Sequence, residues 1–217
     1  MDLLLTDREV RVLGALIEKE ITTPDYYPLS LNALTNACNQ KSNRNPVMAL
    51  DDGAVREALG SLEKKWLAAP TSTAESRVTK FGHRAQEVFN FDRRETALLC
   101  ELMLRGPQTP GELRARAERM YRFDDLETLE ATLQKLSERQ PPLVKKLARL
   151  PGTKESRYAQ LLAGDKPEWV TAVEPADLVP APASDDRIPA IEAEVAELKR
   201  QLTDLQQQFA QFKKQFE

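Results

Sequence analysis

Thr6-Asp7-Arg8-Glu9-Val10-Arg11-Val12-Leu13-Gly14-Ala15-Leu16-Ile17 decides the fold, because it is a complete helix start and because its plan returns later in the chain. Thr6 can cap while Glu9 reaches back in a capping box, and Leu5 can pack on Val10 as a hydrophobic staple. Val10, Leu13, Leu16 and Ile17 then recur at helical spacing, which predicts a helix from Thr6 to about Lys19. A shift of 86 residues restores the pattern: Asp92 caps, Glu95 occupies the third helical position, and Leu98, Leu99, Leu102 and Met103 form the apolar stripe. Leu13 thus matches Leu99, and Leu16 matches Leu102.

The following helices repeat as well. Ser30 precedes Leu31, Leu34 and Ala37 in the first unit, while Thr109, Pro110 and Glu112 supply a cap, an N1 proline and a capping-box acid before Leu113 in the second. Val55, Leu59 and Leu62 correspond to Leu129, Leu133 and Leu136 in the third helices. Each third helix leads into two extended stretches around a turn, at 66–70 and 77–81, then at 143–150 and 155–161, the second pair joined by Pro151-Gly152-Thr153. Three helices with a hairpin is the winged helix-turn-helix plan. The sequence therefore predicts a mainly α fold with small β-hairpin wings: winged-helix domains at 1–90 and 91–163, a Pro/Ala-rich linker at 164–187 and a coiled-coil helix at 188–217. The period is too long for a solenoid and reads as a tandem duplication.

A more specific likeness lies in Tyr26-Tyr27-Pro28-Leu29-Ser30-Leu31-Asn32-Ala33-Leu34, then Ala37-Cys38-Asn39-Gln40-Lys41-Ser42-Asn43-Arg44 and Pro46-Val47-Met48. This string resembles the YceH family, an uncharacterised group of bacterial tandem winged-helix proteins, over roughly residues 4–162. The resemblance implies the fold; the family offers no activity or catalytic residues to carry over. The coiled-coil tail is also similar to that of some members.

Composition excludes several classes. The first ten residues place Asp2, Asp7, Arg8 and Glu9 around three leucines, unlike a signal peptide, and no run of apolar residues is long enough to span a membrane. Cys38 and Cys100 sit in separate helical patterns among small apolar residues, as reduced thiols of a cytoplasmic protein would. With His83 the only histidine, no metal-ligand spacing exists, and no glycine-rich phosphate loop is present among eight glycines. Ser61 and Lys64 match Ser-x-x-Lys but fall in an amphipathic helix without companion motifs. The reading is of a protein that is not an enzyme and has no cofactor, metal or catalytic residues.

Charge is divided unevenly: net −1 over 1–90, +2 over 91–165 and −4 over 166–217. Candidate nucleic-acid contacts are Lys41, Asn43 and Arg44 in the Asn-rich turn, Arg77, Lys80 and Arg84 on the first wing, and Lys145, Lys146, Arg149, Lys154 and Arg157 on the second. Helix-turn-helix turns lie along the backbone of the duplex, and wings rich in Lys and Arg grip phosphate without reading sequence. The same turn residues can instead satisfy their own backbone, and the same wing charges can protect hairpin edges. Arg114, Arg116, Arg119 and Arg122 add positive charge after the second helix of unit two. The third helices start with Asp51 and Asp52, and with Asp124, Asp125 and Glu127. Acids there favour the helix dipole and repel phosphate, which argues against base reading in the major groove.

Beyond the prolines of the linker, where Trp169 is the one large apolar group, Ile188, Ile191, Val195, Leu198, Leu202, Leu205, Phe209, Phe212 and Phe216 alternate by three and four. Such a seam needs another helix and predicts self-association, with Ile191, Val195, Leu198, Leu202, Leu205, Phe209 and Phe212 at its centre. Two functions follow from these features. One is nucleic-acid binding through wings and turn, with the coiled coil raising valency. The other is a protein-interaction scaffold in which the winged-helix domains hold a partner chain.

Overall fold

The computed structural model describes residues 4–71, 78–149, 155–171 and Arg200. It is mainly helical with small antiparallel sheets. Met1–Thr171 form one compact unit, whereas the chain from Ala172 onward, including the entire coiled-coil seam, lies outside the described residues apart from Arg200.

The first half contains α1 (Asp7–Thr22), a single 3-10 turn (Pro24–Tyr26), β1 (Leu29–Ser30), α2 (Leu31–Cys38), α3 (Asp52–Lys64), β2 (Ala68–Thr71) and β3 (Lys80–His83). The short α4 (Ala85–Phe89) leads to the second half: α5 (Arg93–Arg105), α6 (Pro110–Ala117), α7 (Leu126–Ser137), β4 (Val144–Lys146) and β5 (Tyr158–Gln160), followed by α8 (Glu168–Thr171). The helix starts are those the sequence dictates. Capping boxes form at Thr6/Glu9, Asp92/Glu95 and Thr109/Glu112, and Ser30, Asp51 and Asp125 cap α2, α3 and α7.

Strand order in the first sheet is β1-β3-β2, with Leu29 opposite Phe81 and Ala68 opposite His83. In the second, β4 pairs with β5, Val144 opposite Gln160, and a lone bridge from Gln108 to Tyr158 stands where β1 stands in the first half. All four hairpin strands begin later than the sequence predicts, and for β2, which starts at Ala68, the cause is Trp66, which ends α3 in the left-handed region instead of entering the strand. Residues 164–171, read as the start of the linker, include α8, where Arg157 donates to the Trp169 carbonyl at 3.1 Å.

Local details repeat along with the element order. Lys65 Nζ donates to the Leu4 carbonyl and reaches the Glu9 carboxylate at 2.7 Å, while Arg139 donates to the Phe89 carbonyl and lies 3.9 Å from the Glu95 carboxylate. Leu67 N–H donates to the Leu62 carbonyl, and Leu143 N–H to that of Leu136.

One continuous core runs through both halves. Leu13, Leu16, Leu34, Val55, Leu59 and Leu62 line it on one side, with Leu99, Leu102, Leu113, Leu129, Leu133 and Leu136 on the other. The halves meet helix to helix, α1 against α5. Gly14 allows this approach, since a Cβ there would stand 3.0 Å from the Leu104 side chain and 3.2 Å from that of Met103. Cys100 Sγ donates to the Gly14 carbonyl at 3.4 Å, across a separation of 86 residues, the same offset that relates the two helix starts. Positions that match in the 86-residue alignment of the two helix starts therefore touch. Every residue from Glu9 to Glu18, and from Glu95 to Leu104, is buried.

Candidate nucleic-acid interface

Burying α1 and α5 on all sides forces their charged residues to find partners inside, and that requirement shapes the Asn-rich turn. Glu18 has no exposed side-chain surface, and Arg44, equally buried, clamps it with two guanidinium bonds of 3.0 and 2.5 Å. Arg44 also donates to the carbonyls of Ala37 and Asn43 and to Gln40 Oε1. The expectation that Arg44 contacts phosphate fails on this geometry: the side chain is inside, and its donors are occupied by protein.

Its neighbours bind the turn in place. Asn39 exchanges both side-chain bonds with the backbone of Leu50, at 2.7 and 2.8 Å, imitating a strand pair. Asn43, at φ 58°, accepts from Arg105, and Asn45 N–H donates to the Leu104 carbonyl at 3.0 Å. Arg11 reaches under the turn to the carbonyls of Cys38 and Pro46. Of Lys41, Asn43 and Arg44, only Lys41 is exposed. The turn is a bracket between the halves.

Arg119, at the end of α6, completes the bracket by pairing with Glu18 and, at 2.6 Å, with Glu101 of α5. Burial alone would raise the Glu18 carboxyl, but Arg44, Arg119 and Lys19 outweigh it and hold the group below the usual range. Glu101 goes the other way: burial pushes its carboxyl up, and Arg119 and Arg105 offset only part of that. Burial likewise raises the Cys38 thiol to about 12 and the Cys100 thiol well above the ordinary value, leaving both protonated and inert. The sequence gives no local sign of Glu18, Glu101 or Arg119 as a set, because they come together only through the packing of α1 on α5.

The surface is left to the wings and helix ends. Arg77 and Lys154 lie outside the described residues. On the first wing Lys80 is half-buried in β3, and Arg84 sits beyond it, 3.5 Å from Glu87. On the second, Lys145 pairs with Asp165, Lys146 is exposed with its ammonium 5.6 Å from the Tyr158 ring centre, Arg149 is exposed, and Arg157 holds the α8 backbone. The exposed faces of the third helices carry Asp51, Asp52, Arg56, Glu57 and Lys64 on α3 and its cap, and Asp125, Glu127, Glu130 and Lys135 on α7 and its cap. The acids gather at the starts of both helices, where the sequence places Asp51, Asp52, Asp124, Asp125 and Glu127, and α3 ends on the cation Lys64.

Sequence reasoning passed over Trp66. It follows α3 at φ 61°, its side chain is among the most exposed apolar groups at 63 %, and the Arg84 guanidinium lies 5.9 Å from its ring centre. Ser61 is half-buried beside Glu9, to which it gives a hydrogen bond; Lys64 is exposed. Among the described residues no three His, Cys, Asp or Glu side chains gather as a metal site, and no helix is long and apolar enough to cross a membrane.

Comparison with known proteins adds a family. Residues 5–153 match the family described as protein of unknown function, DUF480. The chain is similar to a UPF0502 protein of Koribacter versatilis, 53% identical over 90% of each chain. It is 56% identical to a UPF0502 protein of Solibacter usitatus, covering 90% of this chain and 93% of the relative, and 52% identical to one of Geobacter sulfurreducens over 90% of each. The likeness to an uncharacterised family seen in the sequence extends over most of the chain, under these designations and not the name YceH.

Proposed function

The chain belongs to the DUF480 family, and we propose that it is a non-catalytic protein that binds nucleic acid by its phosphate backbone, without reading base sequence. The domains are winged helices at 1–90 and 91–163, and the hairpin β4–β5 of the second is the main contact. The observation that carries this reading is the opposition of charge within that half. Lys145, Lys146 and Arg149 stand on one short wing, while the helix that would enter a major groove opens with Asp124, Asp125 and Glu127. Phosphate contacts from a wing give affinity that falls steeply with salt and does not depend on sequence. In this reading the seam at 188–217 pairs chains in the cytoplasm, and a second copy doubles the number of wings, raising avidity through the linker.

The acidic faces of α3 and α7 favour a second reading, a scaffold that holds a basic protein partner. The two separate in a titration of the full chain with generic duplex DNA at increasing salt. Binding at about 50 mM salt with a steep negative slope supports the phosphate grip. The triple change of Lys145, Lys146 and Arg149 to Glu should then weaken binding at least roughly tenfold for every sequence tried. A parent that does not bind at low salt, or a triple variant that binds as the parent does, overturns it.

A further inference from the structure

Trp66 is the least expected side chain on the surface. It occupies the position after the α3 cap in a left-handed conformation, with its N–H on the Glu63 carbonyl and the next N–H, of Leu67, on Leu62. This is the helix ending in which glycine is normally found, because a Cβ costs about 1 kcal/mol there. A tryptophan adds a large apolar surface to that cost. The fold does not ask for it: in the second half the corresponding residues between Arg139 and Leu143 are Gln140, Pro141 and Pro142, and α7 ends there with the same helix-to-strand bond.

Its surroundings differ between the halves in the same sense. Lys64-Lys65-Trp66 stands where the second half has Glu138-Arg139-Gln140, so the first half gains positive charge and an aromatic ring together. Arg84 joins them, because its N–H donates to the Leu67 carbonyl at 2.8 Å, just beyond the Ala68–His83 pair, and its guanidinium reaches over the indole. Asp51 and Asp52 are at the opposite end of α3; the nearer acids are Glu63, next to Lys64, and the exposed Glu87, 3.5 Å from Arg84, whose place at the guanidinium a phosphate would take. An exposed aromatic plane set among cations at the foot of a wing is the combination that holds unpaired bases: the ring stacks on a base, and the cations take the adjoining phosphates.

We propose that Trp66, with Lys64 and Arg84, is a stacking anchor for single-stranded nucleic acid. This rests on the phosphate-binding reading above and gives it a substrate class, a strand with at least one unpaired base. Paired bases are stacked on their own neighbours and leave no face for the indole.

The chain's two tryptophans make the test direct. The full-length Trp169→Phe protein, in which Trp66 is the only tryptophan and is excited at the red edge of its band where tyrosine does not absorb, is titrated at low salt with a 20-nucleotide dT strand and with a 20-base-pair duplex. The anchor quenches Trp66 emission with dT, and adding Trp66→Leu weakens dT binding roughly 5- to 100-fold, followed by anisotropy of labelled dT. Duplex binding changes less than about twofold, and Trp66→Phe recovers much of the dT affinity. An unchanged melting temperature in Trp66→Leu confirms that the fold is intact. If duplex and dT both bind but Trp66 emission stays constant, or Trp66→Leu binds dT like its parent, the anchor is refuted while the wing grip stands. If neither binds, both are refuted.

Discussion

Arg44 separates two accounts of the Asn-rich turn, and its replacement by methionine distinguishes them. As a surface contact to phosphate, Arg44 would be removable at less than about 0.5 kcal/mol in stability, with a loss of nucleic-acid affinity. The structure requires the reverse. The change deletes two bonds to the Glu18 carboxylate, at 3.0 and 2.5 Å, and leaves the carbonyl of Ala37 without its two donors, at 3.1 and 2.8 Å. Glu18 then keeps Arg119, and Lys19 at 3.6 Å, in a site with no solvent at its carboxylate. Removing one partner from a buried charge pair costs about 3–5 kcal/mol. For a chain of this size that is a fall of roughly 6–20 °C in melting temperature. Urea denaturation followed by circular dichroism measures the loss, and Arg44→Lys should fall between, since an ammonium cannot reproduce the bidentate fork. A methionine variant that melts within about 2 °C of the parent while losing nucleic-acid affinity would refute the bracket.

Three further outcomes follow from particular contacts. Gly14→Val should destabilise by about 1–3 kcal/mol in the same urea assay, because the new side chain begins 3.0 Å from Leu104, in a helix contact that has no room to open. Burial would raise the Glu9 carboxyl, but Lys65, Ser61 and Thr6 hold it at about 2 against an ordinary 4.5, so its contribution is fully present above that value. It should be lost as pH falls from 4.5 towards 2, up to roughly 3 kcal/mol, and Glu9→Gln should flatten melting temperature against pH across that window. Light scattering should find the full chain above monomer mass and a version stopped at Asp186 monomeric; a full chain that stays monomeric at high micromolar concentration contradicts the seam.

The helices were legible wherever a cap and an apolar stripe coincide. Thr6 with Glu9, Asp92 with Glu95, and Thr109 with Glu112 fix three starts to the residue. The strands were legible only as regions. β1 has two residues and the bridge at Gln108 has one, too short for an alternating pattern to show, and Trp66 shifts the start of β2 through a backbone conformation that no propensity signals. The candidate contacts divide for a different reason. Lys146 and Arg149 are exposed on a short hairpin that no other described strand pairs along β4, whereas the fate of Arg44 depends on Glu18, 26 residues away, and on Arg119, which shares that carboxylate from the other half. A polar string reads alike in sequence whether it faces water or an internal acid.

The contact of Gly14 with Cys100 ties these results together. Two equivalent helices crossing at equivalent residues bury each other, so each loses the solvated face that a first helix usually keeps. Glu18, Glu101 and Arg11 lie on those lost faces, and each can remain charged only with partners at hand. The Asn-rich turn and the end of α6 supply them, which consumes the polar residues that a helix-turn-helix would otherwise turn outward. On the proposed reading, nucleic-acid contact is thereby left to the β-hairpins and the ends of α3 and α7. There the two halves differ in sequence, since Trp66, Gln140, Lys146 and Arg149 stand outside the core. That difference, Lys64-Lys65-Trp66 against Glu138-Arg139-Gln140 at one place and the cationic β4–β5 hairpin at another, gives the halves different surfaces on one compact unit. A strand bound by both would meet a stacking plane on one half and a phosphate grip on the other.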